Sequence, residues 1–345
     1  MKRLLTRLLC LLCLVPLGAA QAAGTPHYRI THQVPLPGDE GWDYLVYEQG
    51  GHRLFVSHGT RVVVVDTEKL AVVGEIPDTP GVHGIALAPD LGRGYVSAGR
   101  SGTVVVFDLK SLARLKEIKV TGENPDAILY DPATHRVFSF NGRGRNVTAI
   151  DARTDEVVGT VAVDAKPEFA ATDGKGRVYV NLEDRNSLAV LDPQKVTVVS
   201  TWPLAGCEEP SGLALDAARE HLIAVCGNKL MAVVDAGSGK LLGTAPIGAG
   251  VDAAAYDPGT RRAYASCGEG VLTVVRIARS GRPQVVQSVT TQRGARTMAL
   301  DLERHRVFLV TADFSPPPAA TGEQPHPRPA IVPGSVRLLV LETDS

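Results

Sequence analysis

The chain has 345 residues, 44% of them apolar, with 36 Lys plus Arg against 37 Asp plus Glu. That length and apolar share describe a globular protein with a full core and exclude a disordered chain. The near-zero net charge leaves no broad basic surface, so a nucleic-acid partner has no compositional support.

The first element in chain order is a leader. Lys2, Arg3 and Arg7 precede an apolar run from Leu8 to Leu17, followed by small residues ending Ala20-Gln21-Ala22. This is the pattern of a secretory signal peptide over 1–22, with an apolar part too short to span a bilayer; a membrane anchor is the competing reading. Cys10 and Cys13 lack the preceding small residue of a lipoprotein signal. The expected product is a soluble periplasmic monomer, residues 23–345, with no membrane span.

Beyond the leader the sequence repeats. Arg53 opens RLFVSHG, Arg93 RGYVSAG, Arg136 RVFSFNG and Arg177 RVYVNLE; the series continues with HLIAVCG at His221, RAYASCG at Arg262 and RVFLVTA at Arg306. Each unit holds four β-rich runs separated by Gly, Asp and Pro turns: an inner run such as NPDAILYD, the Arg-led run, a third such as TVVVFD and a fourth such as AVVGEI. Four strands per unit of about 42 residues make a propeller blade, and seven units predict an all-β, seven-bladed β-propeller forming one domain. In blade seven, runs at 297–300, 306–311 and 336–341 are followed by the end of the sequence, so an outer strand is lacking. The segment YRITHQVPLP from Tyr28 to Pro37 can supply it and close the ring.

The RVYV and VxVID patterns resemble the YVTN-repeat (YncE-like) seven-bladed propellers of the bacterial envelope. The resemblance runs over the whole mature chain and implies the propeller fold. It leaves function open, because related seven-bladed folds include lactonases and quinoprotein subunits, and nucleic-acid binding has been suggested for some family members.

In a propeller the innermost strand of each blade begins at one mouth of the central channel. The residues at that position are Asp43, His83, Asp126, Glu168, Ser211, Asp252 and Arg296 in blades one to seven. Two carboxylates about 6 Å apart repel by roughly 3 kcal/mol at an effective dielectric near 20, so four around one mouth call for an answering charge. A bound cation, Arg296 with a protonated His83, or raised pKa values would each serve. The metal candidates are Asp126, Glu168 and Asp252 with His83; oxygen ligands suit Ca²⁺ or Mg²⁺, and the imidazole admits Zn²⁺. The bland alternative is a set of loop-capping side chains around a wet channel.

A second ring lies where strand two of each blade ends, on the same face. Its members His58 and Asn141, with Asn181 and Glu183 beside it, are candidates to complete the rim, although polar turn chemistry explains them as well. The repeated arginines, paired with an acid five residues earlier as in Glu48/Arg53, Asp131/Arg136, Asp257/Arg262 and Asp301/Arg306, read as exposed braces of the hairpins. Of the three cysteines beyond the leader, Cys207 lies in the loop entering the strand that pairs with Cys226, so these two are the expected disulfide and Cys267 is left free. A Pro-rich insertion, 315–330, interrupts blade seven between its second and third strands, as a lid, a partner handle or a tolerated extension.

The chain beyond the leader has no nucleophile elbow, HExxH, phosphate loop, CxxC or haem motif. The expected function is therefore binding of a small molecule, a metal ion or another envelope protein at the acidic mouth, without catalysis. A metal-dependent hydrolase of lactonase type is the first alternative, with a cation held by Glu168 and Asp252 polarising a carbonyl while His83 or a carboxylate moves protons. A protein- or nucleic-acid-binding scaffold is the second.

Overall fold

Short apolar runs bounded by turn residues become strands buried on both faces. In Arg61–Asp66 the four consecutive valines are fully buried, as expected of a strand sandwiched between two neighbouring sheets. The fourth run of the same unit, Ala71–Ile76, faces outward and leaves Val72 and Val73 partly exposed. The structure, a computed structural model, describes residues 27–318 and 329–344; the leader and most of the Pro-rich insertion, with the expectations that fall on them, lie outside those residues. No helix among the described residues is long and apolar enough to cross a membrane.

The strands form seven four-stranded antiparallel sheets. Six of them use four consecutive strands, as in Trp42–Glu48, Arg53–His58, Arg61–Asp66 and Ala71–Ile76 of blade one. The seventh combines Met298–Asp301, Arg306–Thr311 and Arg337–Thr343 with the N-terminal strand Tyr28–Pro35 on its outside. Tyr28 stands opposite Thr343 and Pro35 opposite Arg337, with a bulge between Ile30 and His32. The ring is thus closed by both ends of the chain, with strand bounds in blade seven one or two residues from those expected. Adjacent blades share a core: Leu54, Val56 and Val63 of blade one pack with Phe308, Val310 and Leu338 of blade seven.

The repeated Arg and Asp positions have a common explanation in the contacts between blades. The Asp ending the third strand of blades one to five caps the following turn, as Asp66 does by accepting the amides of Glu68 (3.0 Å) and Lys69 (2.9 Å). The capped turn presents its next carbonyl to the preceding blade. There Arg53 reaches the carbonyl of Leu109 (2.7 Å), Arg93 that of Ala152 (3.2 Å), Arg177 that of Ala236 (3.2 Å) and Arg306 that of Thr67 (3.1 Å). Tyr95 and Tyr179, two residues after their arginines, donate to the same Ala152 and Ala236 carbonyls.

These contacts correct the expected role of the arginines. The hairpin pair forms at Arg53–Glu48 (2.6 Å) and Arg306–Asp301 (2.9 Å), where Arg306 and Asp301 are buried rather than exposed. Arg136 instead donates to the carbonyls of Pro193 and Gln194, while Asp131 accepts from Thr134 and Thr172. Asp257 is taken by His305 and Thr260. The position serves to join neighbouring blades first and to brace its own hairpin second.

Cys207 and Cys226 form the expected disulfide, their Cα atoms 5.4 Å apart. Cys267 is free and fully buried in the core between blades five and six, where burial pushes its thiol up to about 11.

Candidate functional site

The ring at the mouth is built by a repeated backbone irregularity. In blades one to six the register of the inner hairpin slips just inside its first residue, between Trp42 and Leu45, Val82 and Ile85, Pro125 and Ile128, Pro167 and Ala170, Pro210 and Leu213, and Val251 and Ala253. Each bulge contains the ring residue: Asp43, His83, Asp126, Glu168, Ser211 or Asp252. A β-bulge leaves one residue out of the ladder and re-aims its side chain. Neighbouring blades hold these bulges in place. Thr297 donates to the Asp43 carbonyl (2.5 Å), Asn181 to that of Ser211 (2.8 Å) and Ser97 to that of Asp126; in blade seven, whose inner hairpin has no bulge, the carbonyl of Arg296 accepts from Ser266 (2.5 Å).

The side chains so presented form one charge network across the channel. His83 Nδ1 lies 2.7 Å from Asp43 Oδ2 and 3.8 Å from Asp126 Oδ1. Arg296 meets Asp252 at 2.6 Å and Asp43 at 3.5 Å. Lys166 contacts Glu168 at 2.6 Å and also Glu183. Five carboxyl groups therefore share three cationic side chains. The deficit appears in their acidity: burial and then the Asp126 charge push Glu168 up to about 9, and burial pushes Asp126 up to about 6 against the opposing pull of His83. Burial also raises Asp252, although Arg296 opposes it. His83 titrates above its ordinary value because its bond to Asp43 and the charge of Asp126 outweigh its desolvation.

Beneath the ring lies an aromatic pair. Tyr44 of blade one and Phe169 of blade four stack across the channel with ring centroids 4.4 Å apart and planes 27° from parallel. The Tyr44 hydroxyl is buried without a hydrogen-bond partner among the described residues. Burial, followed by the carboxylates of Asp126, Glu168, Asp43 and Asp252, raises its pKa well above the ordinary tyrosine value. The mouth is thus a cup with an aromatic floor, beneath a cavity of about 700 Å³ lined by His83, Asp126, Lys166, Arg143 and Asp184 among others.

Eight of the ten residues singled out as ligand-binding from sequence contribute to this network or its support. Asp43, His83, Asp126, Glu168, Asp252, Arg296 and Glu183 carry its charges. Asn181 supports it from within the sheet through the Ser211 bulge. Asn141 and His58 are buried elsewhere. The Asn141 amide donates to Asn146 (2.7 Å) and Thr148 (2.9 Å), and His58 faces Glu40 at 3.4 Å. The ligand-competent group also differs from the expected one. Asp43, His83 and Asp126 bring ligand atoms within 4.8 Å of one another, whereas Glu168 and Asp252 are each engaged by a cation, Lys166 and Arg296.

Sequence reasoning missed Lys166, Tyr44 and Phe169. The signal was in the repeat: the residue two before the ring position is Gly41, Gly81, Gly250 or Gly294 in four blades, but Lys166 in blade four. The residue after it is Gly84, Ala127, Gly212, Ala253 or Thr297, but aromatic in Tyr44 and Phe169.

No protein-family model matches the chain, and no curated protein sequence matches it. Solved structures do. A structure of U3-55K has a TM-score of 0.73 at 10% identity, covering 90% of this chain and 98% of that one. The WD40 repeats of RRP9 give 0.76 at 9% identity, covering 92% and 97%. A chain of the Kuenenia stuttgartiensis hydrazine synthase gives 0.67 at 18% identity, covering 79% and 93%. At these identities the likeness establishes the fold, a seven-bladed β-propeller.

Proposed function

We propose that the protein binds a small cation-bearing ligand, a divalent metal ion or an organic ammonium compound, in the cup at the channel mouth, without turnover. The observation that carries this reading is the surplus of buried carboxyl groups above an aromatic floor whose one hydroxyl, on Tyr44, is unpartnered among the described residues. A cation entering the cup replaces the protons that burial holds on Glu168 and Asp126 and answers the charges that His83, Lys166 and Arg296 leave unbalanced. For a metal ion, Asp43, His83 and Asp126 offer two carboxylates and an imidazole, a donor set that suits Zn²⁺ or Mn²⁺ better than Ca²⁺.

The Arg-x-Tyr and Asp-led turn pattern supports placing the chain among the YVTN-repeat propellers, and the leader pattern supports a periplasmic location. One observation favours a second reading, the metal-dependent hydrolase of lactonase type. Asp126 and His83 lie 3.8 Å apart and both titrate away from their ordinary values, as an acid–base pair does.

Thermal melting with a chelator, then with added Zn²⁺, Mg²⁺, Ca²⁺ or tetramethylammonium, tests the binding reading. The wild type is expected to melt higher with at least one of these cations, and Asp43→Asn/Asp126→Asn is expected to lose that gain with an unchanged far-UV spectrum. A wild type indifferent to all of them, with a double variant that melts higher, would reduce the ring to mutually repelling channel groups.

A further inference from the structure

The cavity over the ring adjoins a larger groove, about 1030 Å³, between blades two and three; His83, Asn124 and Arg143 line both. Its charge is opposite to that of the ring. Arg100, Lys119 and Arg143 line it against one acid, Glu123. Lys119 donates to the Ser101 carbonyl (3.1 Å). Among the described residues the side chains of Arg100 and Arg143 make no ion pair or hydrogen bond, leaving both guanidinium forks free.

The two arginines occupy one place in the repeat, the second residue of the turn after strand two. That place holds Thr60, Arg100, Arg143, Asp184, Asn228, Glu269 and Asp313 around the ring. Blades two and three alone put a cation there, and both of these arginines line the groove. Gly99 and Gly144 line the groove with Ser101, Thr121, Asn124 and Asn146. A Cβ on Gly99 would stand 2.7 Å from the His83 ring, and one on Gly144 2.6 Å from the Glu123 amide nitrogen. Both glycines are thus required by the close packing of the groove wall itself.

We infer that this groove binds the oxyanion group, phosphoryl or carboxylate, of a small ligand, gripped by Arg100 and Arg143 with Lys119 beside them. Guanidinium forks match the planar and tetrahedral oxygen sets of such groups and bind them in bidentate fashion, which lone surface ammoniums do not. The assignment stands on the groove's own residues and does not depend on what enters the acidic cup. If both hold, the ligand carries a cationic and an anionic end that meet over His83.

Calorimetric titration with pyrophosphate and, separately, with citrate tests the groove. At least one is expected to bind the wild type, identifying the phosphoryl or the carboxylate class. Affinity is expected to fall at least about tenfold in Arg100→Ala/Arg143→Ala. The ring variant Asp43→Asn/Asp126→Asn is expected to keep anion binding whether or not it has lost cation binding. Absence of binding to the wild type, equal affinity in the arginine variant, or loss of anion binding in the ring variant would overturn the assignment.

Discussion

Glu168 carries the clearest pH signature of any single residue. Its folded-state pKa of about 9 lies above the 4.5 of an unperturbed glutamate, so the folded chain holds the proton more tightly than the unfolded one. The resulting stability is fully present below the unfolded value and is lost as the pH rises through the folded one. Asp126 and His83, also raised, act in the same direction. The melting temperature of the cation-free protein is therefore expected to fall from about pH 5 to about pH 9, and Glu168→Gln, which has no proton to lose, should flatten the fall. Equal slopes for the two proteins would show Glu168 ionised in both states. That four of the seven ring positions hold an acid was legible from the repeat. The cation answering Glu168, Lys166, was not, because a lysine two residues before a bulge has no meaning until blade four is folded and Glu183 is brought beside it.

Strands and turns were the most legible layer, since their signals are local: Val-rich runs, an Asp that caps its own turn, an Arg at a fixed offset. What each Arg does was less so, because its principal partner is a carbonyl one blade and about sixty residues away, as in Arg53 to Leu109. The buried member of the set makes the difference measurable. Arg306 and Asp301 have side chains only 7% and 0% exposed, and removing one partner of a buried pair leaves an uncompensated charge. Asp301→Ala should cost about 3 to 5 kcal/mol in denaturant unfolding, whereas Arg29→Ala, in the exposed pair with Asp344, should cost at most about 1 kcal/mol. Similar small losses for both would mean that the Arg306 site is open to water. The bulges that aim the ring residues were not visible in sequence either. A single residue leaving the ladder alters no pattern of apolar run and turn, and it is held by a Ser, Thr or Asn of the neighbouring blade.

At the scale of the whole molecule, closure and the channel are the features that only the ring creates. The unpaired last blade pointed to the N-terminal strand, and the ladder from Tyr28 to Pro35 is that closure. Deleting residues 28–37 should expose the edge of Arg337–Thr343, lower the melting temperature and promote self-association; a monomeric truncation as stable as the full chain would mean the ring holds without it. The Tyr44–Phe169 stack was the least legible contact, because it joins blades one and four across the axis. It is also what gives the cup its floor, so the binding account depends on it. The most direct measurement is a calorimetric titration of the metal-stripped wild type at pH 7 with Zn²⁺ and with tetramethylammonium, each in two buffers of different ionisation heat. The account requires saturable binding of at least one cation with net release of protons, because His83, Asp126 and Glu168 all hold their protons above their ordinary values in the free cup. No binding of either cation, or binding that releases no proton and survives Asp43→Asn/Asp126→Asn, would contradict it.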